Sequence, residues 1–178
     1  ALKEMIPGFH PPKVSKALIC EMQAGEELLQ CMKGEVHFAQ YGSKDLHIEM
    51  SSLIPKGRWI TVVLLGKSVD RADPSQYLQV VEHFLELPHI RRLLSKKAKL
   101  TPVCLCHPNM TVGAARNAFG HRIALIGDAV VSRLYKDGIF SAYVTASALA
   151  DCIIDAGIDR TSLRTHYWPV VVGFHLDN

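Results

Sequence analysis

The stretch from Arg122 to Ala150 places the tightest constraint on how this chain can fold. It opens with Ile123-Ala124-Leu125-Ile126, a short apolar run of the length and β-branched content expected for a strand buried on both faces. Gly127-Asp128 follows at once, and Asp137-Gly138 then opens a long segment with helical periodicity. A strand, an acidic turn and a glycine at a helix amino terminus are a common way to bring backbone N–H groups to a nucleotide phosphate.

The helix predicted after Gly138 is rich in small side chains. Its i, i+3, i+4 positions are Ile139, Ala142, Tyr143, Ala146, Leu149, Ala150 and Ile153. A helix with so little bulk allows a sheet or a flat ligand to come close to its backbone. Tight helix–sheet packing and contact with a ligand both fit this pattern.

Length and composition bound the possible functions. With 178 residues, of which 48% are hydrophobic, the chain can bury a core as one domain or slightly more. A net charge of +3 is too small to indicate a nucleic-acid partner or an anionic membrane surface. No apolar run approaches the roughly 18 residues that a transmembrane segment needs. Because the five cysteines are thinly spread, they fit reduced thiols, and we expect a cytoplasmic location.

The first part of the chain predicts a sheet. Val14–Gln23 is a predicted strand, placed at a sheet edge. Three further strand-like runs follow closely and predict an antiparallel meander: Val36–Ala39, Leu46–Met50 and Trp59–Leu65. Between the last two, Ile54-Pro55-Lys56-Gly57 favours a type I turn.

Helices and one further strand follow the meander. Asp73-Pro74-Ser75 starts a helix whose buried face is predicted at Tyr77, Val80, Val81, Phe84 and Leu85. Ile90–Leu94 is a second short helix, and Thr101–Cys106 returns to strand. The helix after Gly138 is expected to end near Ala156, and a last helix to run from Asp159 to Tyr167 with little structure beyond it.

Two groups of side chains in the sheet region are candidates for chemistry. His37 and His47 lie on predicted strands that line solvent or a ligand cavity, where either is a candidate proton donor. Cys104-Leu105-Cys106-His107 places two cysteines on one face of a strand. A structural zinc site needs four ligands in paired spacing, and no second pair follows, so we predict buried thiols and no metal.

These elements predict an α+β fold, an antiparallel meander with packed helices followed by a strand–turn–helix unit. The predicted division is a joining segment at 1–12, a sheet domain with helices at 13–113 and a final part at 114–178.

The Gly127-Asp128-Ala129 turn, followed by Asp137-Gly138-Ile139 and an alanine-rich helix, resembles the second FAD-binding motif of flavoprotein oxidoreductases. This group contains the geranylgeranyl reductases and the aromatic-ring hydroxylases. The preceding meander is similar, more loosely, to the substrate domain of that family. The resemblance implies that the strand–turn–helix unit completes an FAD-binding domain.

The resemblance also implies roles by position. The family's turn aspartate hydrogen-bonds the ribityl chain of FAD, and its helix-start glycine offers N–H groups near the pyrophosphate and the flavin ring. Tyr135 and Lys136 stand close to where the flavin would lie and are candidates for tuning its electronics. The candidate cofactor-binding residues are therefore Gly127, Asp128, Lys136, Asp137, Gly138 and Ile139, and no catalytic residue is assigned.

The sequence contains no Gly-x-Gly-x-x-Gly fingerprint, which members of this family carry near the amino terminus to hold the ADP half of FAD. The resemblance thus implies the C-terminal portion of a longer flavoprotein with a dinucleotide-binding region upstream. We expect the chain alone to bind FAD weakly or not at all and to be inactive.

Three functional hypotheses follow. The first is part of an FAD-dependent oxidoreductase of the reductase-like branch, which the segment Arg133–Gly138 favours, acting on a small apolar, lipid-like or isoprenoid substrate. The second is part of an FAD-dependent aromatic hydroxylase or monooxygenase. The third is a non-catalytic α+β domain that binds a partner or another nucleotide at the helix end marked by Gly138.

Overall fold

The structure is a computed structural model that describes residues 2–25, 32, 34–42, 45–94, 100–133 and 137–178. It is α+β, as predicted, and divides into two compact units. The first, here called the sheet unit, is Ser15–Asn109. The second, called the helical unit, combines Ala1–Val14 with Met110–Asn178. The functional domain division predicted from the sequence stays a prediction.

An antiparallel sheet forms the centre of the sheet unit. Its strands are β1 (Val14–Gln23), β2 (His37–Gly42), β3 (His47–Lys56), β4 (Trp59–Leu65) and β5 (Thr101–Cys106). They lie in the order β2-β3-β4-β1-β5, which confirms the predicted meander. The edge position predicted for β1 is wrong, because β1 pairs with β4 on one side and with β5 on the other.

The hairpin between β3 and β4 turns later than predicted. β3 continues to Lys56, so Ile54 and Pro55 pair with β4 instead of forming a type I turn. The loop is Gly57-Arg58, with Gly57 at a φ of 57°. A two-residue hairpin loop favours left-handed backbone at its tip, and glycine adopts that conformation at little cost.

One face of the sheet is covered by three helices. These are α2 (Lys67–Arg71), α3 (Tyr77–Leu85, after a 3₁₀ turn at Pro74–Gln76) and α4 (Pro88–Leu93). The predicted face of α3 is confirmed. Val80 is partly buried on it, and the four buried residues are Tyr77, Val81, Phe84 and Leu85. They pack with strand residues that alternate along the chain, among them Leu18, Cys20, Val62 and Leu64.

The remaining elements, in chain order, are α1 (Leu2–Met5), β6 (Asn109–Thr111), β7 (Phe119–Gly120), β8 (Ile123–Ala124), a 3₁₀ turn (Gly127–Ala129), α5 (Gly138–Asp155), α6 (Arg160–Ser162), a π-helical turn (Leu163–Tyr167) and α7 (Trp168–Asp177). The core of the helical unit gathers residues from most of these elements and from the amino terminus, including Ile6, Phe9, Val130, Val131, Leu163, Tyr167 and Val171.

The strand predicted at Ile123–Ile126 is shorter and more exposed than expected. Only Ile123 and Ala124 are in strand conformation, paired with Gly120 and Phe119, and Ile126 is 42% exposed. The prediction of burial on both faces is wrong. Such burial needs neighbouring strands on both sides, and among the described residues β8 pairs with β7 alone.

The end of the chain is more helical than predicted. Asp159 is an N-cap as expected, and its carboxylate accepts the N–H groups of Thr161 and Ser162 at 2.8 and 3.2 Å. The predicted end at Tyr167 is wrong, since α7 continues to Asp177. Pro169 lies in the first turn of α7, directly after the π-helical turn, where its missing N–H has little cost.

By length and composition alone, α5 is the one helix in the described part of the chain that qualifies as a candidate membrane span. Because the core helix of a soluble protein meets the same criterion, this finding is weak evidence of a span.

Candidate functional site

The Gly127-Asp128 turn lies directly against the first turns of α5. Gly127 has a φ of 57°, and a Cβ placed on it would lie 3.1 Å from the Cβ of Ala142. Glycine is required for two reasons, the left-handed backbone and the close approach of the helix. The small side chains at the start of α5, such as Ala142, therefore allow this turn to pack closely against the helix.

Two buried hydroxyl groups of α5 bond the turn and the segment that follows it. The N–H of Gly127 donates to Oγ1 of Thr145 at 2.9 Å, and Thr145 Oγ1 donates to the carbonyl of Ser141 at 2.7 Å. Oγ of Ser141 accepts the N–H of Arg133 at 3.0 Å. Because Ser141 and Thr145 are both 0% exposed, this path from Gly127 to Arg133 is shielded from water.

Sequence reasoning missed the role of these hydroxyl groups. Among the positions that the periodicity selected, Ile139 and Tyr143 are 91% and 69% exposed, whereas Ser141, Thr145 and Cys152 are buried. The helix is apolar on most sides, so periodicity selected the bulkier side chains. A serine and a threonine four residues apart in an apolar helix were the available signal.

Asp128 presents its carboxylate beside the first residue of α5. Its Oδ1 and Oδ2 would lie 3.4 and 3.6 Å from a Cβ placed on Gly138. The backbone of Asp128 is held by Thr111, whose Oγ1 donates to the Asp128 carbonyl at 2.9 Å. The side chain is exposed, and its carboxylate has no hydrogen bond or ion pair with any residue in the described ranges.

This carboxylate changes which ligand groups the helix end favours. The partial positive charge at the amino terminus of α5 attracts the Asp128 carboxylate, which in turn offsets the positive potential that a phosphate would require. An ionised carboxylate accepts hydrogen bonds and donates none. The arrangement is therefore better suited to ligand hydroxyl groups than to a phosphate at the same position.

The other predicted cofactor residues differ in their surroundings. Asp137 is the N-cap of α5, and its carbonyl accepts the N–H of Ser141 at 3.0 Å. Gly138 is partly buried beside Asp128, and Ile139 points into solvent. Lys136, like Tyr135, lies outside the described residues.

Tyr167 holds the segment that leads into the turn. Its hydroxyl donates to the carbonyl of Leu125, two residues before Gly127. Burial raises the pKa of the Tyr167 hydroxyl, so it stays protonated and able to donate at neutral pH. Sequence reasoning did not select this tyrosine either.

The cysteine cluster of the sheet unit does not match its prediction. Cys104 and Cys106 are exposed on β5, so the prediction that they are buried is wrong. Cys20 is buried, and burial raises its pKa to about 11. Within the described ranges, no three side chains of histidine, cysteine, aspartate or glutamate lie close enough to hold a metal ion.

The two histidines predicted to line a cavity lie in different surroundings. His47 is exposed and lines a cleft of about 500 Å³ together with Arg71 and His83. His37 is half-buried, and its Nε2 has no hydrogen-bond partner among the described residues. A proton-donor role for either histidine stays a prediction.

No protein-family model and no curated protein sequence matches the chain. Solved structures do share its fold. A geranylgeranyl bacteriochlorophyll reductase-like protein from Thermoplasma acidophilum matches with a TM-score of 0.60 at 14% identity, over 90% of this chain and 40% of that one. The rebeccamycin biosynthetic enzyme RebC with reduced flavin matches with a TM-score of 0.60 at 17% identity, over 99% and 34%.

A variant of the halogenase PltM in complex with FAD also matches, with a TM-score of 0.59 at 10% identity, over 97% of this chain and 39% of that one. These likenesses show a shared fold. The chain spans between 34% and 40% of the length of the three proteins.

Proposed function

We propose that this chain is part of an FAD-dependent oxidoreductase, in which it supplies a substrate-type sheet domain and the second contact to FAD. The observation that carries the proposal is the Asp128 carboxylate, which stands beside Gly138 without a partner among the described residues. The fold supports the same function, since the similar structures include two flavin-containing enzymes and a reductase-like protein.

The residues at this site fit the polyol part of FAD. Asp128 supplies an acceptor for hydroxyl groups, and Gly138 has no side chain to fill the space next to that acceptor. Gly127, Lys136, Asp137 and Ile139 are proposed to complete the contact. Bound FAD would supply the electron-transfer chemistry, while these residues would bind and orient it.

Exposed apolar side chains of the helical unit support a larger assembly around the site. Ile126 is 42% exposed, Ile139 91%, Tyr143 69% and Ile154 79%. Large exposed apolar side chains can mark a surface that another part of a protein covers. The proposed cover is an upstream dinucleotide-binding region of the same protein, which would hold the ADP half of FAD.

Within this class we propose the reductase-like branch, a small apolar substrate and a cytoplasmic location. The Arg133–Gly138 segment and the likeness to the Thermoplasma acidophilum protein favour that branch. A second candidate is an FAD-dependent aromatic hydroxylase or monooxygenase, whose second FAD-binding motif the Gly127-Asp128-Ala129 turn also resembles. Turnover with and without oxygen separates them, because a monooxygenase consumes O₂ and a reductase works anaerobically.

FAD titration tests the proposal. We expect the protein with its upstream sequence to purify yellow, and the 178-residue chain alone to bind FAD weakly. In the longer protein, Asp128→Asn removes a charged acceptor and should weaken FAD binding by about ten- to a hundredfold. Asp151→Asn changes another exposed carboxylate of the helical unit and is the matched control, with an expected change within about twofold.

A colourless longer protein that refuses added FAD would contradict the proposed function and favour the non-catalytic binding domain. Equal losses of affinity in the Asp128→Asn and Asp151→Asn variants would instead remove Asp128 from the contact.

A further inference from the structure

Arg133 lies where α7 meets the beginning of α5. The centre of its guanidinium is 5.6 Å from the centroid of the Phe140 ring and 5.4 Å from that of the Phe174 ring. The two rings lie edge to face with centroids 6.4 Å apart. Phe140 belongs to the first turn of α5 and Phe174 to α7, so one cation is held by aromatic rings from both helices.

Two carboxylates complete the surroundings of this guanidinium. Nη2 of Arg133 lies 2.8 Å from Oδ2 of Asp177, and Nη1 lies 3.9 Å from Oδ2 of Asp137. Asp177 is the last residue of α7, and Asp137 is the N-cap of α5. Isolated surface ion pairs contribute little, but here one side chain whose orientation the two rings restrict serves both carboxylates.

The backbone of Arg133 continues this connection to the acidic turn. Its N–H bonds to the buried Ser141 Oγ, and the Ser141 carbonyl receives the Thr145 hydroxyl that also accepts the Gly127 N–H. Gly127 is the residue before Asp128. A second hydrogen bond joins the end of α7 to this segment, since Nδ2 of Asn178 donates to the Ser132 carbonyl at 2.8 Å. Hydrogen bonds and short covalent segments therefore link α7 to the turn that carries Asp128.

We infer that Arg133 is a positioning residue for the candidate cofactor site, with Asp177 as its anchor. Through this pair, α7 holds the first turns of α5 against the Gly127-Asp128 turn and sets the affinity of the site for the polyol of FAD. Arg133 acts through Ser141 and Asp137 and not by touching the cofactor. The inference rests on the proposed function.

Asp177→Asn removes the ion pair while preserving the shape of the side chain. In the FAD-free chain, we expect hydrogen–deuterium exchange at the amides of Ser141–Thr145 to become faster by about three- to tenfold, since the first hydrogen-bonded turns of α5 open more often. In the longer protein, FAD affinity should fall by a similar factor. Asp177→Glu, which keeps the carboxylate, should retain exchange rates and FAD affinity close to those of wild type. Asp155→Asn, at the other end of α5, should change neither the exchange rates nor the FAD affinity.

Unchanged exchange at Ser141–Thr145 in the Asp177→Asn variant would overturn the inference. Faster exchange that extends equally to α3 in the sheet unit would overturn it too, since it would indicate general destabilisation. If the wild-type protein binds FAD and the Asp177→Asn variant binds it with the same affinity, the inference is rejected and the proposed function is kept. Because the exchange experiment needs no FAD, a local change in exchange in a protein that never binds FAD would support the coupling and reject the proposed function.

Discussion

The sheet unit and the helical unit differ in how completely they bury their apolar side chains. In the sheet unit, Leu18, Val62 and Phe84 are 0% exposed and pack between the sheet and α3. In the helical unit, Ile139 is 91% exposed and Leu176 is 79% exposed, although the same unit has a well-packed core.

The two units therefore differ in how much apolar surface they leave available for binding. The sheet unit buries the apolar stripe of its main helix, so its folding pattern explains most of its large side chains. The helical unit leaves apolar side chains open beside an acidic turn whose carboxylate has no partner within the described ranges. An open apolar side next to an available acceptor is a surface at which a ligand or another protein region can bind.

The largest expected contrast comes from truncating one apolar side chain in each unit. Phe84→Ala removes a fully buried ring of the sheet unit and should lower the free energy of unfolding by about 3–5 kcal/mol. Ile139→Ser changes an exposed side chain of the helical unit and should alter it by about 0.5 kcal/mol or less. Urea denaturation of the chain measures both free energies of unfolding. Equal losses of stability in the two variants would show that the two units do not differ in this way.

A second contrast lies between two glycines of the helical unit. Gly127→Ala imposes a side chain on left-handed backbone next to Ala142 and should destabilise the chain by about 1–3 kcal/mol. Gly173→Ala adds a methyl group in open space within α7 and should stabilise it by about 0.5–1 kcal/mol. Thermal unfolding of both variants checks the two signs, and a neutral Gly127→Ala would show that the turn does not need glycine.

The strands of the sheet unit could be predicted because their signal is local. β1, β4 and β5 begin and end where alternation and apolar runs placed them, at Val14–Gln23, Trp59–Leu65 and Thr101–Cys106. The order of the strands in the sheet could not be predicted in the same way, because the sequence pattern of one strand does not specify which strands pair with it. The edge position expected for β1 failed for this reason.

The candidate site was predictable only in part. The sequence pattern selected Asp128 and Gly138, and the structure brings the two together. It did not select Arg133, because the partner Asp177 is 44 residues away along the chain and becomes a neighbour only through packing of α7. It also did not indicate that the Thr145 hydroxyl, which bonds the turn, is buried in α5 while the larger Ile139 and Tyr143 are exposed.

Thiol labelling tests whether the core of the sheet unit excludes solvent. Cys104 and Cys106 are exposed, whereas Cys20 is buried with its pKa raised to about 11 by burial, so little of it is thiolate at neutral pH. We expect iodoacetamide to modify Cys104 and Cys106 in the native chain and Cys20 only after unfolding. Mass spectrometry identifies the sites, and rapid native labelling of Cys20 would contradict the closed core.

The smallest expected effect concerns acid stability of the sheet unit. The Thr61 hydroxyl, at 2.7 Å, and the Lys56 ammonium, at 3.0 Å, hold the pKa of Glu21 below its ordinary value of 4.5, while burial opposes them. Because the pKa is lower in the folded state, this stabilisation is present above the ordinary value and is lost as pH falls through the folded pKa.

Glu21→Gln should therefore reduce the acid dependence of unfolding, and Glu49→Gln, at an exposed position of β3, should leave it unchanged. Urea denaturation between neutral and acidic pH provides the measurement. Identical pH profiles in wild type and Glu21→Gln would show that the interaction with Thr61 and Lys56 does not affect stability.

Hydrogen–deuterium exchange of the longer protein, with and without FAD, tests whether the acidic turn and the start of α5 contact the cofactor. FAD should slow exchange across peptides that span Ile126–Tyr143, with a smaller change across α3 of the sheet unit. If saturating FAD leaves exchange across Ile126–Tyr143 unchanged, the proposed contact between this segment and FAD is contradicted.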